Sequence, residues 1–527
     1  MNRKSLAPTF ALTLAITMML PAATAASHEL TVADRTTLEG WAADTWRSMD
    51  AMVVPRTGLP ADNINGALKG GSRSKYTSPT NIGMYLWATL AARDLGLISA
   101  DEASSRIEIT LGSVERLERH EPSGQFFNWY DPRNGRLIHK WPENGDHVYP
   151  FASSVDNGWL ASGLIMVANA VPDLHDRAMA LAASMDFGCY YDPNAKADVG
   201  LIRGGFWLPD DAPPPPPGQA WPEDDYCGMG EDVAYTGHHY GPFNTEPRIA
   251  SYIGIALGQI PEEHYFGGWR TFPDTCDWSW PETKPIGVWR EYLGVDVFEG
   301  AYRYSDKLIV PTWGGSMFEA LMVPLVVPEE EWGQTSWAIT HPLYVESSIE
   351  YGLEEADYGY WGFSPSSDPA GGYREYGIDA IGMEPNGYTS DAGRLTLTDA
   401  GWVDTDPSEP DCSRPARAIQ QYGEGIITPH AAFLALDFDM SAAMANLRAL
   451  QANFAGLYGA GGFKDAVNVA TGQIADRYLA LDQGMVIAAI ANELTDNQLQ
   501  GYLATTLQPS LKPLMEMEQF TAGRVTP

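Results

Sequence analysis

The chain has 527 residues and is strongly acidic, with 68 Asp and Glu against 33 Lys and Arg and a net charge of −35. Such a surface repels phosphate backbones and anionic lipids, which excludes nucleic acid and membrane as expected partners and argues against a polyanionic substrate. The four cysteines, Cys189, Cys227, Cys276 and Cys412, have no zinc-ligand spacing and allow two disulfides in three pairings.

The first 26 residues read as a secretory signal. Arg3 and Lys4 form its basic end, Phe10 to Leu20 its apolar run and Ala23-Thr24-Ala25 its cleavage site. Removal leaves 27–527 as a single expected domain, exported to a periplasm or the medium. The apolar run is too short to span a membrane, and no later stretch reaches about 20 apolar residues. Helical spacing of apolar residues then predicts helices over 30–49, 79–95, 101–119, 157–170, 175–185, 247–258, 317–326, 341–353, 428–437, 441–455, 477–493 and 496–507. Ser78-Pro79, Ser99 and Thr495-Asp496 supply cap signals. Twelve helices with few convincing strands predict an all-α chain, an (α/α)6 toroid of six inner and six outer helices with its site at one end. The intervening stretches 187–245, 259–316 and 356–425 are long and rich in Gly and aromatics, as functional loops are. Pro213 to Pro217 read as a stiff exposed spacer.

Several helices share one layout, in which a polar residue stands where a loop enters an apolar helix. In Tyr240-Gly-Pro-Phe-Asn-Thr-Glu-Pro-Arg-Ile, Glu246 precedes a helix whose buried face is Ile249, Tyr252, Ile253, Ala256 and Leu257. It is either a helix cap, with Asn244 and Thr245 as rivals, or a carboxylate facing a cavity. Asp156 stands at the start of the helix after Ser153-Ser-Val, Glu319 in the helix after Thr312-Trp-Gly-Gly-Ser, and Asp482 with Gln483 in Arg477-Tyr-Leu-Ala-Leu-Asp-Gln. Each has a structural alternative: a cap for Asp156, a buried acid bonded to loop amides for Glu319, a partner for Arg477 in Asp482. Paired carboxylates among aromatics suit glycoside hydrolysis, where one carboxyl protonates the leaving oxygen and another activates water or attacks carbon. No HExxH, CxxC pair, P-loop or GxSxG pattern is present, and neither metal nor cofactor is expected.

The segments FNWYDP, SSVDNGWLASGL, TEPRIASYIGIALGQIP, TWGGSMFEALM and RYLALDQGM, with Tyr76-Thr-Ser-Pro-Thr-Asn-Ile-Gly83, resemble the glucoamylase-like domain of bacterial β-1,2-glucanases. The same domain forms the transglycosylase part of cyclic β-1,2-glucan synthases. The resemblance runs from about residue 76 to 493. It implies an (α/α)6 toroid acting on β-1,2-glucan, with Glu246 matching the general acid and Asp156 an acid of the substrate site. It also implies Asp482 as the base of inverting hydrolases and Glu319 as the nucleophile of the retaining transglycosylases. Because both branches are represented, inversion and retention both stay open. Asn128, Trp129, Tyr130, Tyr240, Arg248, Trp313, Tyr373 and Gln483 are the candidate sugar contacts. One physical tension accompanies Glu246: a general acid needs a raised pKa, whereas a helix N-terminus favours the carboxylate.

Two other classes fit parts of this pattern. A polysaccharide lyase could use Tyr240 as base with His239 as acid, though it would need cations to neutralise a uronate. A glycan-binding protein without catalysis could use the same aromatic cleft.

Overall fold

The computed structural model describes residues 30–196, 199–273, 284–383, 423 and 425–525. The expected signal segment, Cys276 and Cys412 lie outside these. Hydroxyl side chains set where the first helices begin. Thr31, Ser78, Ser99 and Ser153 each accept a backbone N–H three residues on, starting α1 (Val32–Met52), α2 (Pro79–Asp94), α3 (Ala100–Val114) and α4 (Ser154–Ala170). Further along lie α5 (His175–Ala183), α6 (Arg248–Ala256), α7 (Met317–Leu321), α8 (Glu329–Trp332) and α9 (Trp337–Glu350). The last four are α10 (Pro429–Leu434), α11 (Met440–Asn453), α12 (Ala480–Thr495) and α13 (Gln498–Met517).

All twelve expected helices are present, and α8 is an additional single turn. The helix expected over 317–326 breaks after Leu321 and continues as a 3-10 turn, Val323–Leu325, containing Pro324. Thr495 and Asp496 do not cap α13: Asp496 and Asn497 adopt left-handed φ values of 56° and 57°, and α13 starts after them.

The helices differ in depth. α2, α4 and α12 are buried almost all round, whereas α3 and α11 bury one face. α2 packs on α4 and α12; α4 packs on α5, α6 and α13; α12 packs on α1, α10 and α13. The α2–α4 contact is backbone to backbone. A Cβ on Gly83 would meet the Trp159 carbonyl at 2.3 Å, and one on Gly163 would meet the Gly83 carbonyl at 2.8 Å. Glycine at both positions thus sets how deeply Trp159 enters the core, where it is 1% exposed.

The expectation of an all-α chain with few strands needs correction. The structure is about 44% helical, and the long stretches between helices are built partly from antiparallel strands. One four-stranded sheet orders Glu223–Asp224, Val233–Tyr235, Gly205–Trp207 and Ala152–Ser153, ending at the entry to α4. Another orders Ile286–Tyr292, Val295–Tyr304, Lys307–Ile309 and Gly523–Arg524. Its first hairpin turns at Leu293-Gly294, both left-handed, the two-residue turn that matches strand twist. Trp- and Gly-rich composition hides these strands, because Val288, Trp289 and Ile286 face solvent and leave no clear alternation. Of the expected disulfides, Cys189–Cys227 is formed and ties together two points of the 187–245 stretch 38 residues apart. Among the described residues, no helix is long and apolar enough to cross a membrane.

Candidate active site

A cavity of about 590 Å³ opens where α2, α4, α6 and α12 begin. Four carboxyl side chains line it: Asp62, Asp156, Glu246 and Asp482. An aromatic wall stands with them. Tyr76 and Trp141 lie 4.5 Å apart between ring centroids, and both meet Trp129 edge to face at 5.6 and 5.9 Å. Tyr373, 56% exposed, is also in the lining. Volume, half-buried aromatics and a few convergent polar groups are the equipment of a small-ligand or oligosaccharide site.

Glu246 is not a helix cap. Pro247 occupies the cap position of α6 without a side-chain bond. The first N–H groups of the helix, from Arg248, Ile249 and Ala250, reach the carbonyls of Thr245, Glu246 and Pro247 instead. Asn244 donates to the Val310 carbonyl at 3.0 Å and Thr245 to Glu319, so neither rival caps either. The Glu246 carboxylate is free to enter the cavity, where Oε2 accepts the Trp159 indole N–H at 3.1 Å. Burial, then the charges of Glu319 and Asp156, push its pKa well above the usual carboxylate range, against the opposing pull of the Trp159 bond and Arg248.

Asp156 is likewise no cap, since Ser153 holds that place and donates nothing to it but accepts its N–H at 3.2 Å. Its two oxygens are gripped from either side, by the Thr80 hydroxyl at 2.6 Å and the Asn128 amide at 3.0 Å. Asp482 sits in the first turn of α12, 4% exposed, with Oδ2 3.4 Å from His430 Nδ1. His430, Asp465 and Asp482 bring atoms within 4.8 Å of one another, close enough to share a proton or a small cation.

Of the residues singled out from sequence, Glu246, Asp156, Asp482, Trp129 and Tyr373 line the cavity, with Asn128 directly behind Asp156. The others stand elsewhere. Glu319 lies beneath Glu246, 5% exposed, its Oε2 accepting the Glu246 N–H at 2.8 Å and the Thr245 hydroxyl. Arg248 is buried in a two-bond pair with Glu329, at 2.8 and 2.9 Å, and donates to the carbonyls of Glu319 and Ala320. Tyr130 is fully buried and donates to the Glu118 carbonyl at 2.5 Å. Gln483 bonds Ser48 and the Phe463 carbonyl in the core. Trp313 is half-buried and outside the cavity lining. Tyr240 is half-buried, and burial plus the charges of Glu246, Asp156 and Glu319 hold its phenol protonated far above the ordinary range.

Sequence reasoning missed Asp62, Tyr76, Trp141 and Arg477 as cavity residues. Asp62 is held by the Asn81 and Asn63 amides at 3.0 and 2.9 Å, and burial raises its pKa. It reaches the site because strand Asn63–Asn65 pairs with Arg477–Leu479, directly ahead of α12. A lone Asp in a short polar stretch carries no local signal for that pairing.

Residues 282–502 match the family model described as "Putative glucoamylase", and residues 40–189 match one described as a protein of unknown function (DUF3131). The chain is 24% identical, over 86% of its length, to the cyclic β-(1,2)-glucan synthase NdvB of Rhizobium meliloti, and spans 18% of that protein. Among solved structures, the endo-β-1,2-glucanase of Chitinophaga pinensis, in complex with sophorotriose and glucose, superposes with a TM-score of 0.59. It is 15% identical, over 91% of this chain and 98% of that one. A mutant endo-β-1,2-glucanase of Talaromyces funiculosus in complex with β-1,2-glucan superposes with a TM-score of 0.60. It is 12% identical, over 93% and 91% of the two chains. The chain is thus a homologue of the NdvB synthase with a glucoamylase-like family segment, and it has the fold of the β-1,2-glucanases.

Proposed function

We propose that this chain is an exported glycoside hydrolase of β-1,2-glucan, built as one (α/α)6 toroid over 27–527. The observation that carries the reading is the cavity itself, where a carboxyl with a strongly raised pKa, Glu246, shares a wall with Asp156 and Asp482 and faces Tyr76, Trp129 and Trp141. Glu246 gives its proton to the glycosidic oxygen as the bond to the anomeric carbon breaks. Asp482 takes the proton of the water that attacks from the other side. Asp156, with Asn128 and Thr80 behind it, orients sugar hydroxyls, and the aromatic wall takes the apolar faces of the rings.

Inversion is favoured over retention by the placement of Glu319. A nucleophile must reach the anomeric carbon, whereas Glu319 is outside the lining and spends Oε2 on two donors. Transglycosylation is the second reading, supported by the relationship to the NdvB synthase. A lyase is disfavoured because Tyr240 holds its proton too firmly for a base and His239 is engaged by Asp192 at 2.9 Å.

The test is incubation of purified protein with β-1,2-, β-1,3-, β-1,4- and α-glucans, following reducing ends and the anomer of the fresh product by NMR. Cleavage of β-1,2-glucan with inversion is expected. Retention would transfer the nucleophile's role to Glu319, and inertness toward every glucan would overturn the reading.

A further inference from the structure

Behind Asp482 lies a polar cluster that the proposed reaction does not use. His430 (3% exposed) comes from α10, Asp482 (4%) from α12, and Asp465 (1%) from the turn between strands Gly462–Phe463 and Val467–Asn468. Three of their buried atoms have no hydrogen bond to any other group: His430 Nδ1, Asp465 Oδ1 and Asp482 Oδ2. The far side of two of these groups is fixed. His430 Nε2 meets Ser364 Oγ at 2.8 Å, and Asp465 Oδ2 accepts the Ser367 N–H at 2.8 Å. An unmade buried hydrogen bond costs about 1–3 kcal/mol, and two ionised carboxylates in contact in a dry site add repulsion. A single proton between the two carboxyls removes their repulsion and pairs two of the three orphaned atoms, Asp465 Oδ1 and Asp482 Oδ2, with His430 Nδ1 remaining 3.4 Å from Asp482 Oδ2. Since Asp465 Oδ2 is accepting from Ser367, the proton belongs on Oδ1, the oxygen left without a partner in a cluster whose ligand atoms lie within 4.8 Å of one another.

We propose that Asp465 is a positioning residue that keeps a proton on Oδ1 and donates it to Asp482 Oδ2, leaving the other Asp482 oxygen ionised toward the cavity. The role rests on the reading of Asp482 as the base. Burial and the Asp482 charge both push the Asp465 carboxyl well above the usual range. The charged and titratable groups around the pair are His430 from α10, Asp62 and Arg477 from the strand pair ahead of α12, and Tyr373. The proton-sharing bond orients the base much as a neighbouring acid orients a catalytic imidazole, by fixing which lone pairs are free.

Asp465→Asn and Asp465→Ala test this in the full chain. An Asn accepts from Ser367 with its carbonyl and donates to Asp482 with its amide, so it reproduces the protonated form permanently. Asp465→Asn is expected to keep kcat near wild type and to lose the part of the alkaline fall in rate caused by deprotonation of Asp465. Asp465→Ala is expected to lower kcat by about tenfold or more at nearly unchanged KM, since the base loses its orientation. Infrared spectroscopy gives a readout independent of activity: a protonated-carboxyl C=O stretch present in wild type and absent from Asp465→Asn. Absence of that difference band would overturn the proposal. So would an Asp465→Asn protein as impaired as Asp465→Ala, or activity lost to a chelator and restored by a divalent cation, which would put a cation where the proton is placed. Turnover by Asp482→Asn would sink the base reading alone, and the infrared band would still decide Asp465.

Discussion

Glu319 holds Glu246 through the main chain: Glu319 Oε2 accepts the Glu246 N–H at 2.8 Å and the Thr245 hydroxyl beside it. Two carboxyl groups are thereby fixed side by side at the entry to α6. A helix N-terminus alone would favour the carboxylate form of Glu246. Burial and the neighbouring charge drive it the other way, and the first N–H groups of α6 are occupied by the carbonyls of Thr245, Glu246 and Pro247. The conflict between helix dipole and general acid is resolved by the local backbone, which turns those donors away.

Glu246→Gln keeps the volume and the Trp159 contact and removes only the transferable proton. Turnover of β-1,2-glucan is expected to fall by about 10²–10⁴-fold, with an unchanged melting temperature and retained oligosaccharide binding by calorimetry. Near-normal turnover would remove Glu246 from the mechanism.

Glu319→Gln separates support from nucleophile. As a support, Glu319 raises the Glu246 pKa with its charge, so the neutral amide should lower it. A general acid is active while protonated, and the alkaline limb of the pH–rate profile reports its pKa. That limb is expected to move to lower pH, with most of kcat retained at its optimum. A loss of turnover as complete as that of Glu246→Gln would instead mark Glu319 as the nucleophile.

Trp159→Phe should move the same limb in the opposite direction. The indole N–H stabilises the charged form of Glu246, so its removal raises the pKa and extends activity to higher pH. The ring volume largely remains, and the loss of stability should stay well below the roughly 3–5 kcal/mol of truncation to Ala. A limb that stays in place in both variants would mean that some group other than Glu246 sets it.

Much of this site was legible in the sequence, for identifiable reasons. Helices bury apolar faces at a fixed period, so all twelve were found, and the loop-to-helix junctions at Asp156, Glu246 and Asp482 marked residues that do meet in the cavity. Arg248 and Gln483 shared those junctions but turn into the core, because the sequence states that a polar residue is near a helix start and not which side of the backbone it leaves. Asp62 and Asp465 were invisible for another reason. Each reaches the site through a strand or turn paired far along the chain, Asp62 by way of Arg477–Leu479 and Asp465 from the turn ahead of Val467–Asn468, which pairs with Ile426–Ile427. Non-local pairing of two- and three-residue strands leaves no periodicity to read.

Away from the cavity, Arg270, Glu299 and Glu518 form a wholly buried charge cluster, with each side chain 0% exposed. Arg270 donates to Glu518 from Nε at 2.7 Å, while Glu299 stands 3.9 Å away. One cation facing two carboxyls cannot neutralise both. Burial, followed by the Glu518 charge, pushes Glu299 up to about 8, against the pull of Arg270. The unfolded chain releases that proton near 4.5, so the folded state holds it across the interval up to about 8. The stability it contributes is fully present below the lower value and is lost as pH rises through the upper one. Wild type should therefore lose melting temperature steadily from pH 5 to pH 9. Glu299→Gln, which keeps the neutral form at every pH, should lose less and become the more stable of the two on the alkaline side. Arg270→Leu should cost about 3–5 kcal/mol at neutral pH, because it strands the Glu518 charge in the core. Parallel melting curves for wild type and Glu299→Gln across that range would show that Glu299 is ionised in the folded protein and that Arg270 balances both acids.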